Sequence, residues 1–211
     1  MSLTTIAIGG FTSNSGKTTL LCELLGAFPG WEAIKMTRGH YRSCGKDAHA
    51  CCVSHLLSDE PVLRSGRAKT YTQGKDTGRY WEAGASNVHW VIATDTQVEE
   101  GIKRVLKRVA SGGVFIEGNS FTQFMEVDLL LMAARPSGGK IKPTARRALE
   151  KTSAIYLFDE EGGANSARER FNAWRAHAPD ERLLSGIPVY TQEDLPKLIE
   201  RVRAAQNVCV L

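Results

Sequence analysis

The sequence has no apolar run approaching the roughly 18 residues of a membrane-crossing helix. Its first nine residues lack a charged start followed by an apolar core and a cleavage site. Both absences argue against a membrane-embedded or secreted chain, and the cytoplasm is the expected location. Repeats at solenoid or propeller periods are missing, as are low-complexity tracts and linkers rich in Pro or Ser. Charge bias is weak. The 27 Lys and Arg against 23 Asp and Glu leave +4, too little to point to a nucleic-acid partner. The basic run from Lys103 to Arg108 sits at helical spacing and reads as one solvated helix face. Cysteines number five, an odd count that makes a poor disulfide framework for a cytoplasmic chain. With 42% apolar and 24% charged residues, disorder, collagen-like structure and a coiled coil are also excluded.

What remains is an ordinary globular composition. At roughly 150 residues per domain, the 211 residues fit one domain over 1–211. Apolar patterning alternates between strand and helix periods. Strands are expected at residues 4–8, 32–37, 88–93, 113–116, 127–132, 154–158 and 187–190. Helices are expected at 17–28, 96–110, 144–151, 166–177 and 195–205. Such alternation predicts an α/β domain with a mainly parallel sheet and helices on both faces. Residues 38–86 break the pattern. At 49 residues this excursion is too long for a plain connection, so it should hold local structure or a functional site.

The strongest motif follows the first strand. Gly9, Gly10, Phe11, Thr12, Ser13, Asn14, Ser15, Gly16, Lys17, Thr18 and Thr19 lead from strand into helix. That context is the one a phosphate-binding loop requires. Backbone N–H groups there form an anion nest, and the helix N-terminus adds partial positive charge. The predicted cofactor-binding residues are Gly10, Asn14, Ser15, Gly16, Lys17, Thr18 and Thr19. Lys17 is placed to reach the β- and γ-phosphates, and Thr18 to ligate Mg²⁺. The usual spacing, G-x-x-x-x-G-K-[ST], puts Phe11 at the first glycine. Counting from Gly10 leaves five intervening residues instead, a longer loop that locally resembles dethiobiotin synthetase.

Mg²⁺ chemistry needs a second acid. Glu117 ends an apolar run at the sheet edge where ligands collect, and is read as a catalytic residue and Mg²⁺ ligand beside Lys17. The alternative is a solvated strand-end glutamate. Asp95 is weaker: it either serves the site or caps the next helix. Arg146 and Arg147 read as a solvated helix face or a phosphate-stabilising arginine. Lys75, Asp76, Thr77 and Arg79 form a polar cluster. They read equally as a contact near the phosphates and as a surface loop with a helix start at Asp76 or Thr77.

Four stretches occur in order: residues 10–21, 35–40 (Lys35 to His40), 74–85 (with Lys75, Asp76, Thr77, then Ala83, Gly84, Ala85), and Ile116, Glu117, Gly118. Together they resemble the molybdopterin-guanine dinucleotide biosynthesis adapter family, a group of GTP-binding phosphate-loop proteins. The resemblance covers about the first 135 residues. It implies GTP as ligand, a molybdopterin-pathway protein as partner and a homodimer. The chain departs from that family in loop spacing, in a cysteine-rich stretch after His40, and in lacking a clear N/T-K-x-D guanine-reading motif.

That stretch holds His40, Cys44, His49, Cys51, Cys52 and His55 within sixteen residues. Thiolate and imidazole at such density suit Zn²⁺. Buried free cysteines beside polar histidines, or a redox-sensitive pair, are the alternatives. A separate reading brings His40 to the nucleotide or substrate. The sequence therefore supports Mg²⁺-dependent GTP or ATP binding with slow hydrolysis, in an adapter of molybdenum-cofactor biosynthesis. The alternatives are an ATP-dependent small-molecule kinase or ligase, with residues 38–86 holding the acceptor, and a nucleotide- or metal-sensing module.

Overall fold

The computed structural model describes residues 3–40, 53–159 and 164–208. Its strands are β1 (Thr4–Gly10), β2 (Glu32–Arg38), β3 (Val62–Ser65), β4 (Val88–Ala93), β5 (Gly113–Glu117), β6 (Leu129–Ala134), β7 (Ala154–Leu157) and β8 (Val189–Tyr190). They form one sheet in the order β3-β4-β2-β5-β1-β6-β7-β8. Every pairing is parallel except that of β3 with β4. The helices are α1 (Lys17–Ala27), α2 (Arg67–Thr70), α3 (Asp76–Glu82), α4 (Val98–Leu106), α5 (Pro143–Leu149), α6 (Ala164–Arg175), α7 (Glu181–Leu184) and α8 (Leu195–Val208).

The central strands are apolar on both sides because both faces of the sheet are covered. On one face Ile6, Ile8, Phe115 and Leu131 meet Leu20, Leu21 and Leu24 of α1 and Leu198 and Val202 of α8. On the other, Ala7, Ile116, Leu130 and Met132 meet Ile102 and Val105 of α4, Ala145 and Leu149 of α5 and Phe171 of α6. Trp31 is buried between Phe28 and Phe115, with ring centroids 4.8 and 4.7 Å away. Trp81, Trp90 and Trp174 are half-buried.

The long excursion contains β3, α2 and α3. β3 escapes pattern reading because its four residues are all half-buried and alternate nothing. It is the antiparallel edge of the sheet and pairs with β4 alone. The helix expected at 96–110 is shorter, Val98–Leu106. Asp95 does not cap it. The Gln97 side chain takes the Thr94 amide proton at 3.0 Å, while Asp95 pairs with Arg38 at 3.1 Å. His177 is exposed, whereas His89 is buried against Glu32.

Candidate functional site

β1 ends at Gly10 and α1 begins at Lys17, so residues 11–16 form the turn between them. Phe11 stands where the common loop pattern has glycine. Its ring is buried against Phe171 and Trp174, with centroids 6.2 and 6.0 Å away. Its amide donates to the Ala133 carbonyl (3.1 Å), and its carbonyl accepts from the Lys142 amide (3.0 Å). The side chain points into the core below the loop, so this position tolerates a large residue. Gly10, from which the longer loop is counted, has no room for a side chain: a Cβ there would lie 2.4 Å from Ser15 Oγ and 2.8 Å from the Lys17 side chain. Asn119, two residues past Glu117, bonds Gly10 both ways: its Oδ1 accepts from the amide (2.8 Å) and its Nδ2 donates to the carbonyl (2.9 Å).

Gly16 is held at φ +90°, and a Cβ there would lie 2.3 Å from Phe158. Only glycine meets both conditions. Neither a side-chain cap nor an acidic residue occupies the first turn of α1, which leaves its N–H groups for an anion. Ser15 is fully buried and its hydroxyl donates to the Thr12 carbonyl at 3.1 Å. Lys17 Nζ folds back onto the same carbonyl at 3.1 Å. Burial holds the Lys17 ammonium below the usual lysine value, and Glu117 opposes the shift.

Opposite the loop lies a cluster from four elements. The register of β2 on β5 sets Lys35 beside Glu117. α3 supplies Asp76 and Tyr80, and α1 supplies Thr18. Glu117 is 1% exposed. Its Oε2 accepts from Thr18 Oγ1 at 2.9 Å and from the Tyr80 hydroxyl. Asp76 Oδ1 lies 3.1 Å from the same threonine oxygen. Lys35 Nζ bridges the two carboxylates, 2.5 Å from each. Burial alone would discharge Lys35 and Asp76. Instead the carboxylates raise Lys35 above its ordinary value, and Lys35 lowers Asp76 below its own. Burial and Glu117 push the Tyr80 hydroxyl far up, so it stays a proton donor.

α3 is anchored on α1. Arg79 Nη2 donates to Thr19 Oγ1 at 3.3 Å, and the Arg79 carbonyl lies 3.7 Å from Cys22 Sγ. Burial raises the Cys22 thiol to about 11, which keeps it protonated at neutral pH. On the far side of the loop, Arg135 Nε donates to the Asn14 carbonyl at 2.9 Å. Its guanidinium lies 4.9 Å from the centre of the Phe158 ring.

Loop and cluster enclose one cleft of about 830 Å³. Gly10, Asn14, Ser15, Gly16, Lys17, Thr18, Thr19 and Glu117, all singled out from the sequence, line it, as does His40. Thr19 turns its hydroxyl to Arg79. His55 is exposed on a short turn, and Cys44, His49, Cys51 and Cys52 lie outside the described residues. Among the described residues no group of three His, Cys, Asp or Glu side chains is arranged to hold a metal. Arg146 pairs with Asp180 at 2.8 Å and does not line the cleft. Asp76 lines the cleft and opens α3. Lys35 and Tyr80 were not singled out as site residues, nor were Arg135 and Phe158.

The donor set fits a hard divalent cation. Thr18, Asp76 and Glu117 offer oxygens alone, the ligands Mg²⁺ prefers. A positive group, the Lys35 ammonium, already lies against both carboxylates.

The glycine-bearing turn joins a central parallel strand to a helix, and an acid closes the neighbouring strand, all within an α/β fold with a mainly parallel sheet. The sequence matches no family model and no curated protein. Among solved structures it is similar to LpxK from Aquifex aeolicus in complex with ATP (16% identity, 90% of this chain and 54% of the other, TM-score 0.49). It is also similar to the signal recognition particle 54 kDa protein from Aeropyrum pernix K1 in complex with GDP (12% identity, 96% and 50%, TM-score 0.46). A third is the Zn(II)-bound triple mutant of YjiA GTPase (15% identity, 90% and 58%, TM-score 0.44). The chain spans about half the length of these structures.

Proposed function

We propose that the chain binds a purine nucleoside triphosphate with Mg²⁺ and hydrolyses it slowly. One observation carries this reading: the hydroxyl of Thr18, in the first turn after the loop, is hydrogen-bonded to Glu117 at the end of the neighbouring strand. The loop amides and the Lys17 ammonium would hold the phosphates. Thr18, Glu117 and Asp76 would hold the metal. Bound there, Mg²⁺ supplies charge neutralisation at the phosphate oxygens. Tyr80 and Lys35 keep the Glu117 carboxylate oriented toward Thr18. Lys17, freed from the Thr12 carbonyl, would direct its charge to the terminal phosphates.

Within this reading, the sequence resemblance supports a GTP-binding adapter of molybdenum-cofactor biosynthesis, homodimeric and partnered by a molybdopterin-pathway protein. A second reading, an ATP-dependent small-molecule kinase or ligase, is favoured by the cleft itself. It continues past the loop to Thr37, Arg38, His40 and Ser120, where an acceptor would fit. A sensing module with Zn²⁺ bound by the Cys/His stretch is supported by composition alone.

Parallel titration of the protein with GTP and ATP in Mg²⁺ tests the reading. Wild type is expected to bind, and Lys17→Ala to bind roughly 10- to 100-fold more weakly, as loss of a charged hydrogen-bond donor predicts. Equal binding by both proteins would sink it. Slow acceptor-free hydrolysis favours the adapter, acceptor-dependent turnover the kinase, and binding without turnover the sensor.

A further inference from the structure

A second cavity, of about 430 Å³, lies behind one wall of the phosphate-loop cleft. That wall is the segment leading into α5. Lys142 and Thr144 turn to the cleft, and the Lys142 ammonium donates to Ser13 Oγ at 2.7 Å. Ile141 and Pro143 alternate with them and line the second cavity instead. Among the described residues none lines both.

The second cavity has walls of two kinds. Trp174 is the flat one. Phe171 and Phe11 pack on its ring from the core, with centroids 5.4 and 6.0 Å away. The ring is only half-buried, and what they leave uncovered borders the cavity. Gly138, at φ +64°, brings the backbone against the same ring, where a Cβ would fall 1.9 Å from it. The indole is thus held in one place. The other wall is cationic. Arg146 forks onto the buried Asp180, Nε to Oδ1 at 2.8 Å and Nη2 to Oδ2 at 3.0 Å. That pair neutralises the only carboxylate lining the cavity. Lys140 and Arg147 complete the wall and make no ion pair among the described residues.

We propose that this cavity is a second small-molecule site and that it takes a planar aromatic anion. The aromatic body would lie on Trp174, and the anionic group would meet Arg147 and Lys140. The volume falls within the range of small-molecule sites. A ring placed on a fixed indole gains a stacking contact, and an anion gains charge-assisted bonds from guanidinium and ammonium. No phosphate-loop residue lines the cavity, so the inference stands apart from the nucleotide reading.

Titration of the full chain with naphthoate, followed by the indole N–H resonances of its four tryptophans, tests this. Trp174→Phe assigns one resonance while keeping a ring against Phe11 and Phe171. Naphthoate is expected to move the Trp174 resonance and to leave those of Trp31, Trp81 and Trp90 in place. Neutral naphthamide should bind about tenfold more weakly. Naphthoate should lose about as much on a variant carrying both Lys140→Ala and Arg147→Ala, two exposed positions whose truncation spares the core. Lys17→Ala, in the other cleft, should bind naphthoate like wild type. An unmoved Trp174 resonance at millimolar naphthoate would overturn the proposal. So would equal affinity for the amide, or undiminished binding by the double variant. Loss of naphthoate in Lys17→Ala would seat the anion in the phosphate loop, overturning this inference while leaving the nucleotide reading intact.

Discussion

Glu117→Gln is expected to lower nucleoside triphosphate turnover by about two to three orders of magnitude while leaving the chain folded. Glutamine keeps the volume of a side chain that is 1% exposed. It removes the charge that Thr18, Lys35 and Tyr80 all address. Asp76 remains to pair with Lys35, so the ammonium is not stranded. Nucleotide binding in EDTA should change little, because the loop amides and Lys17 are untouched. Single-turnover hydrolysis across a Mg²⁺ titration checks this. Wild-type turnover in Glu117→Gln would remove the acid from the chemistry and leave it a structural partner of Tyr80.

The largest stability effect lies at the opposite edge of the sheet. Glu32 opens β2 and is 3% exposed, and His89 near the start of β4 is 1% exposed. Glu32 Oε2 accepts from His89 Nε2 at 2.6 Å, and Oε1 accepts from the amides of Ala110 and Ser111 at 2.7 and 2.8 Å. One carboxylate thus ties two strands to the chain leaving α4. Ser65 Oγ sits 2.8 Å from the other ring nitrogen and extends the tie to β3. Glu32→Ala leaves the buried imidazole and two backbone amides without their acceptor, and should cost about 3–5 kcal/mol.

The loss should depend on pH. Burial alone would raise the Glu32 carboxyl, but the bonds from His89, Ala110 and Ser111 override it and hold it below its ordinary value. A lowered carboxyl stabilises the fold above its unfolded pKa of about 4.3, and that stability fades as pH falls through the lower folded value. Urea denaturation should therefore find a constant gap between wild type and Glu32→Ala above about pH 5, narrowing in acid. A gap independent of pH would assign the cost to lost packing.

The loop was legible because its chemistry is contiguous. Gly16, Lys17 and Thr18 lie side by side, and strand and helix flank them. Glu117 was legible because an apolar strand ending in an acid is unusual in itself. Lys35 and Tyr80 were not. Lys35 sits inside an apolar strand, and its meeting with Glu117 is set by a pairing register 82 residues away in sequence. Tyr80 reads as an ordinary core aromatic. Asp76 was seen as polar and as a helix start, but its facing Thr18 depends on α3 packing against α1. Phe11 misled for the converse reason: a local pattern asked for glycine, while tertiary packing had found a pocket for a ring.

The Asn119 amide meets Gly10 as one base meets another in a pair, giving and taking a proton at once. The strand is thinned to admit it: a Cβ on Gly9 would fall 2.6 Å from Asn119 Oδ1 and 2.4 Å from Met132 Sδ. A single bond at this point would be an axle about which the loop could swing. Two bonds make a weld, and the weld joins the root of the loop to the segment that carries Glu117. Anion cradle and acid therefore travel as one rigid part. α3, bonded to Thr18, Thr19 and Glu117, and Arg135, bonded to Asn14, are tied to that same part.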